Sequence, residues 1–181
     1  MQTQHPKNSV IGIIGWSGSG KTSLLEKTIP LLIDAGLKVN VVKSSHHDVE
    51  LEPPHKDSAR LRRSGASEVL LASPYRFAIM HELDGNELPT LNALISRMQE
   101  ADITLIEGFK HERIPKLEVY RPSLGKSPMF PTDNTILAVI SDAPRPKDIR
   151  ENLDWLDLND TTQVAVWLRK FCTTNQSSGH E

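Results

Sequence analysis

The chain has 181 residues and a formal net charge of -2, long enough for one domain with a real core and without the excess charge of a nucleic-acid or polybasic membrane binder. Cys172 is the only cysteine, which excludes an internal disulfide and a multi-cysteine zinc site and agrees with a reducing compartment. The polar start of the chain carries Pro6 and no apolar leader core, and no apolar run reaches bilayer length, so a soluble cytoplasmic protein is expected.

Residues 1–9 read as a flexible N-terminus, 10–172 as one α/β domain and 173–181 as a flexible tail. Val10 to Ile14 is a β-branched run that predicts a buried strand ending at Gly15. Thr22 to Ala35 carries Leu24, Leu25, Ile29, Leu32 and Ile33 at helical spacing, with Pro30 expected to kink or shorten the helix and Gly36 to cap it. Leu37 to Lys43 predicts a second strand, which completes a βαβ unit. Ser44 to Asp57, broken by Pro53-Pro54, predicts a long loop, and Ser58 to Ser64 a short helix closed by Gly65. Glu68 to Ala72 and Arg76 to His81 predict strands about a turn at Ser73-Pro74, followed by a helix over Leu91 to Met98. Ile103 to Ile106 is a further buried strand, Lys116 to Tyr120 and Thr135 to Ile140 two more, and Val164 to Phe171 a final amphipathic helix. The fold class that follows is α/β: a P-loop NTPase-type, mainly parallel sheet flanked by helices, with extra strands in the second half.

Gly15-Trp16-Ser17-Gly18-Ser19-Gly20-Lys21-Thr22 matches the P-loop pattern G-x-x-x-x-G-K-[ST] between a predicted strand and a predicted helix. Glycines let successive backbone N–H groups point inward at a phosphate, and the helix that starts here adds its free N–H groups and positive dipole end. The candidate phosphate contacts are Gly15, Ser17, Gly18, Ser19, Gly20, Lys21, Thr22 and the adjoining Ser23. Lys21 sets a mobile ammonium against the outer phosphates, and the Thr22 hydroxyl suits Mg²⁺. Trp16 packs beside or shields the nucleotide. A second acid is expected at the end of a buried strand, and Glu107 occupies that place. Thr22 and Glu107 are thus the candidate metal ligands, Lys21 and Glu107 the candidate catalytic groups.

Lys43 leaves its strand toward the same end. His46, His47 and Asp48 follow in the long loop, where such residues serve a metal, a proton or a phosphorylated partner, or stand in solvent. Arg76, after a turn, is a candidate phosphate contact, whereas Arg60, Arg62 and Arg63 fit a solvated helix face. The Asn-Lys-x-Asp element of GTPases is missing, but Asp142 follows the run Ile136 to Ile140. It suits either a guanine's ring N–H and exocyclic amine or a plain turn before Pro144.

These segments resemble the MobB proteins, the molybdopterin-guanine dinucleotide biosynthesis adapters. The resemblance runs from the P-loop and Ser23 to Lys27 through Lys43 to Asp48, Lys56 to Ser58, Ser64 to Ala66, Glu107 to Glu112, Ser141 to Pro144 and Leu156 to Asp160. It implies a homodimeric GTP-binding protein with weak GTPase activity at most, partnered by MobA, the enzyme that joins GMP to molybdopterin. It further implies that Glu107, Gly108, Phe109 and Lys110 line the nucleotide site, with His46, His47 and Asp48 nearby. Ser44 stands where the family has histidine, and His55 where it has glycine; the first weakens a three-histidine metal site and the second implies a different loop path. A small-molecule kinase and a non-catalytic nucleotide-stabilised module are the rival expectations. Neither nucleic acid nor membrane is an expected partner.

Overall fold

In chain order the elements are β1 (Ser9–Ile14), α1 (Lys21–Asp34), β2 (Val39–Lys43), α2 (Asp57–Arg63), β3 (Glu68–Ala72), β4 (Phe77–His81), α3 (Leu91–Ile95), β5 (Ile103–Glu107), β6 (Lys116–Tyr120), β7 (Ile136–Ser141), β8 (Asp154–Asp157) and α4 (Thr161–Ser177). The computed structural model describes residues 8–45, 49–83, 85 and 87–177. It divides into two units, one formed by the chain up to Ser44 and from Arg97 onward, the other by Ser45–Ser96.

The first unit is built on a six-stranded sheet in the order β2-β5-β1-β6-β7-β8, and every neighbouring pair is parallel. Strands buried on both faces read as continuous apolar runs, and β1 and β5 do so. Ile11, Ile13, Leu105 and Leu117 pack on one face with Leu24, Leu25 and Leu32 of α1 and with Val164, Leu168 and Phe171 of α4. The opposite face buries Ile14, Ile136 and Val139 with Phe130 and Leu153, which come from irregular segments. Parallel pairing sends all six strands' carboxyl ends to one edge, and the strand order reverses at β1, where ligands of open α/β sheets bind.

α1 does not stop at Pro30. It continues to Asp34, because Pro30 lies on the exposed side while buried Leu24, Leu25, Thr28 and Leu32 hold the opposite side. The carbonyl that loses its N–H partner belongs to Glu26, an exposed residue, so the break costs less there than in a buried turn. The helix ends as expected near Gly36, with Gly36 N donating to Ile33 O at 2.8 Å and Leu37 N to Leu32 O at 3.1 Å, a Schellman closure. α3 is shorter than the predicted Leu91 to Met98 and ends at Ile95; the Ser96 hydroxyl turns back to Ala93 O at 2.9 Å. β8 escaped the sequence reading because it is four residues long, with aspartates at both ends.

In the second unit β3 and β4 form an antiparallel hairpin, with Leu70 opposite Ile79 and Ala72 opposite Phe77. Directly opposed residues share a face, so these four make one apolar surface, and Leu70, Phe77 and Ile79 are 60%, 64% and 55% exposed. Behind α2, Arg62 Nη1 donates to Glu82 Oε1 at 2.6 Å and Arg62 Nε to Glu52 Oε1 at 3.3 Å, while the Ser58 hydroxyl also meets Glu52.

Candidate functional site

The phosphate loop leaves β1 at Gly15 and enters α1 at Lys21. Gly15 has φ 145°, and a Cβ there would lie 2.4 Å from Val119 O and 2.8 Å from Ser19 Oγ, so only glycine fits against β6. Gly18 and Gly20 also take positive φ. α1 begins at Gly20 without a side-chain cap and without an acidic residue in its first turn, which leaves its positive end unanswered by the protein. Ser17, Gly18 and Ser23 are exposed at the loop, while the Ser19 side chain is buried.

Lys21 folds back across the loop, its ammonium donating to Gly15 O at 2.9 Å and Trp16 O at 3.0 Å. Burial lowers its pKa below the ordinary value, with Glu107 opposing and Lys43 adding to that shift. In the first turn of α1, Thr22 Oγ1 donates to Glu107 Oε1 at 2.9 Å. Glu107, 8% exposed at the end of β5, is held in register by β1 and β2 on either side. Lys43 at the end of β2 places its ammonium 3.2 Å from Thr22 Oγ1 and 3.2 Å from each Glu107 oxygen. These are hard oxygen donors of the kind Mg²⁺ takes, and the ammonium resting on them marks a spot that gathers positive charge. The residues therefore fit the ion. Among the described residues no cluster of three or more His, Cys, Asp or Glu could hold a metal, so phosphate and water oxygens have to complete such a shell.

Beyond Glu107 the chain turns at Gly108, φ 100°, where a Cβ would come within 2.9 Å of Ser44 Cβ. Phe109 follows at φ 50°, a left-handed conformation that non-glycine residues adopt at some energetic cost. The turn carries Lys110 back toward the loop, its ammonium 5.4 Å from the centre of the Trp16 ring, with Lys126 5.8 Å from it. The Trp16 indole N–H donates to Ser127 O at 2.8 Å, which ties the P-loop to the segment after β6. Glu118, wholly buried in β6, anchors that segment by accepting from Met129 N and Phe130 N, both at 2.8 Å.

On the other side of β1, Asp142 follows β7 and pairs through Oδ2 with Arg121 Nη1 at 2.9 Å. Arg121 follows β6, and its Nε donates to Ser19 O at 3.1 Å. The sequence reading passed over Arg121 and Glu118; the place of Arg121 just past a buried parallel strand was the available signal. Arg76 stands at the hairpin turn of the second unit, where its backbone N–H donates to Ser73 Oγ at 3.2 Å. His46, His47 and Asp48 lie outside the described residues.

The family model for molybdopterin guanine dinucleotide synthesis protein B, MobB, matches residues 10–142. The chain is 38% identical over 168 residues to the molybdopterin-guanine dinucleotide biosynthesis adapter protein of Escherichia coli (strain K12), covering 89% of this chain and 94% of that protein. Against the adapter protein of Haemophilus influenzae it is 40% identical over 168 residues, covering 90% of each. Among solved structures, a molybdopterin-guanine biosynthesis protein B aligns with TM-score 0.66 at 25% identity, covering 89% of this chain and 98% of that one. A MobB homolog from Bacillus stearothermophilus aligns with TM-score 0.66 at 24% identity, over 91% and 98% of the two chains, a likeness of fold.

Proposed function

The chain belongs to the MobB family, and on that premise we propose that it is the GTP-binding adapter of molybdopterin-guanine dinucleotide synthesis, working beside the guanylyltransferase that attaches GMP to molybdopterin. The observation that carries the nucleotide reading is the P-loop with its Thr22 hydroxyl set 2.9 Å from the Glu107 carboxylate. Backbone N–H groups from Gly15 to Thr22 take the phosphates, and Lys21 moves from the loop carbonyls onto the outer phosphate oxygens. Thr22 and Glu107 would hold Mg²⁺, whose charge would offset that of the phosphates. Asp142 is the reader of the guanine N–H groups. Hydrolysis is slow on this reading, because no glutamine stands among the described side chains gathered at the loop to orient water.

A homodimer is part of the proposal. It is supported by the apolar hairpin face of Leu70, Ala72, Phe77 and Ile79, since an isolated two-stranded sheet is marginal in water and exposed apolar patches mark interfaces. The reading places the pair in the cytoplasm, where a chain with one cysteine is at home.

Trp16 reports on the loop, so titration of its fluorescence with GTP and ATP in Mg²⁺ tests the proposal. GTP is expected to bind more tightly than ATP, and Lys21→Ala to weaken both by about 100-fold, the worth of a buried charge-assisted contact with phosphate. A preference for ATP, with transfer of its γ-phosphate to a metabolite, would replace the adapter with a kinase.

A further inference from the structure

Arg121 is half-buried between two structures that the nucleotide reading uses separately. Its Nε donates to the carbonyl of Ser19 at 3.1 Å, and its Nη1 meets Asp142 Oδ2 at 2.9 Å. Its Nη2 lies 3.7 Å from where a Cβ on Gly20 would stand, so the guanidinium plane runs along the P-loop just before Lys21. A planar fork with donors at fixed angles holds both partners in one geometry, which a lysine's rotating ammonium cannot do. Asp142 Oδ1 has no hydrogen-bond partner among the described residues.

Strand order divides the work around β1. The ends of β5 and β2, on one side, carry Glu107 and Lys43, which belong with the metal and the outer phosphates. The ends of β6 and β7, on the other, carry Arg121 and Asp142. A nucleotide whose outer phosphates lie on the first side extends its ribose and base over the second.

We propose that Arg121 is a positioning residue for base selection: it fixes the Asp142 carboxylate through Oδ2, leaves Oδ1 for the N–H groups of a guanine, and ties that carboxylate to the phosphate loop through Ser19 O. The span between phosphate cradle and base reader is thereby set by one side chain. This rests on the reading of Asp142 as the guanine contact.

The test compares GTP, ATP and inorganic tripolyphosphate, each titrated with Mg²⁺ against the unaltered protein, Arg121→Ala and Asp142→Asn. Arg121→Ala is expected to weaken GTP about tenfold while ATP and tripolyphosphate stay within about twofold, because only the guanine contact depends on the orientation of Asp142. An equal loss for GTP and tripolyphosphate would make Arg121 a prop of the phosphate loop and overturn the proposal, as would unchanged GTP binding. Xanthosine triphosphate separates the two levels. If Asp142→Asn switches preference from GTP to xanthosine triphosphate while Arg121→Ala keeps its GTP affinity, the reading of Asp142 stands and the role of Arg121 falls. If no switch occurs, both fall.

Discussion

Gly15 shows how much one residue type decides at this site. Its φ of 145° and the 2.4 Å approach of a Cβ to Val119 O let the loop turn off β1 directly against β6. Gly15→Ala is expected to lower unfolding free energy by about 3 kcal/mol or more, measured by urea denaturation, since it adds both backbone strain and a clash with an immovable carbonyl. Glu118 offers a test through pH. Burial raises its pKa above the ordinary 4.5, the N–H groups of Met129 and Phe130 pull the other way, and Asp133 adds to the rise. Folding therefore favours the protonated carboxyl, and its stabilising contribution is complete below 4.5 and lost as pH climbs through the higher folded value. The unaltered protein is expected to gain stability over Glu118→Gln as pH falls from neutrality toward that range; a constant difference across it would count against this account.

At the scale of elements, α1 joins the two jobs of the fold. Its start carries the P-loop Lys21 and Thr22, and its buried face packs Leu24, Leu25 and Leu32, so packing energy holds the free N–H end of the helix in place. Pro30 sits in that helix without ending it, on the solvent side. Pro30→Ala is expected to restore the missing hydrogen bond at a cost in unfolded-state entropy, a net gain of about 1 kcal/mol. For a chain of this size that raises Tm by about 2–4 °C, and a lower Tm in calorimetry would show that the proline serves the native helix. The segment from Arg121 to Phe130 is the second such element. It is rich in proline, yet Arg121, Ser127 and the Glu118 anchor bind it to the P-loop and to β6.

At the scale of the whole molecule, the central strands of the first unit's sheet are buried on both faces, whereas the hairpin of the second unit leaves Leu70, Phe77 and Ile79 largely exposed. If a second copy covers that face, Phe77→Asp is expected to weaken self-association by about 30-fold or more, the worth of an interface hot spot. Sedimentation velocity checks this, and a variant that self-associates as before would move the interface elsewhere.

Local chemistry made much of this protein legible before any coordinates. A strand, a glycine-rich turn and a helix in sequence define a phosphate cradle because backbone conformation, dipole and Lys21 all lie within one short segment. The buried strand ending at Glu107 was likewise written in a continuous apolar run. What the chain alone did not disclose were partners far apart in sequence: Thr22 with Glu107 and Lys43, Ser19 with Arg121 and Asp142, Trp16 with Ser127. Hydrophobic periodicity tells which face of an element is buried but carries no record of which strand lies beside which. The strand order of the sheet supplies that, and with it the grouping of Glu107 and Lys43 on one side of β1 and of Arg121 and Asp142 on the other.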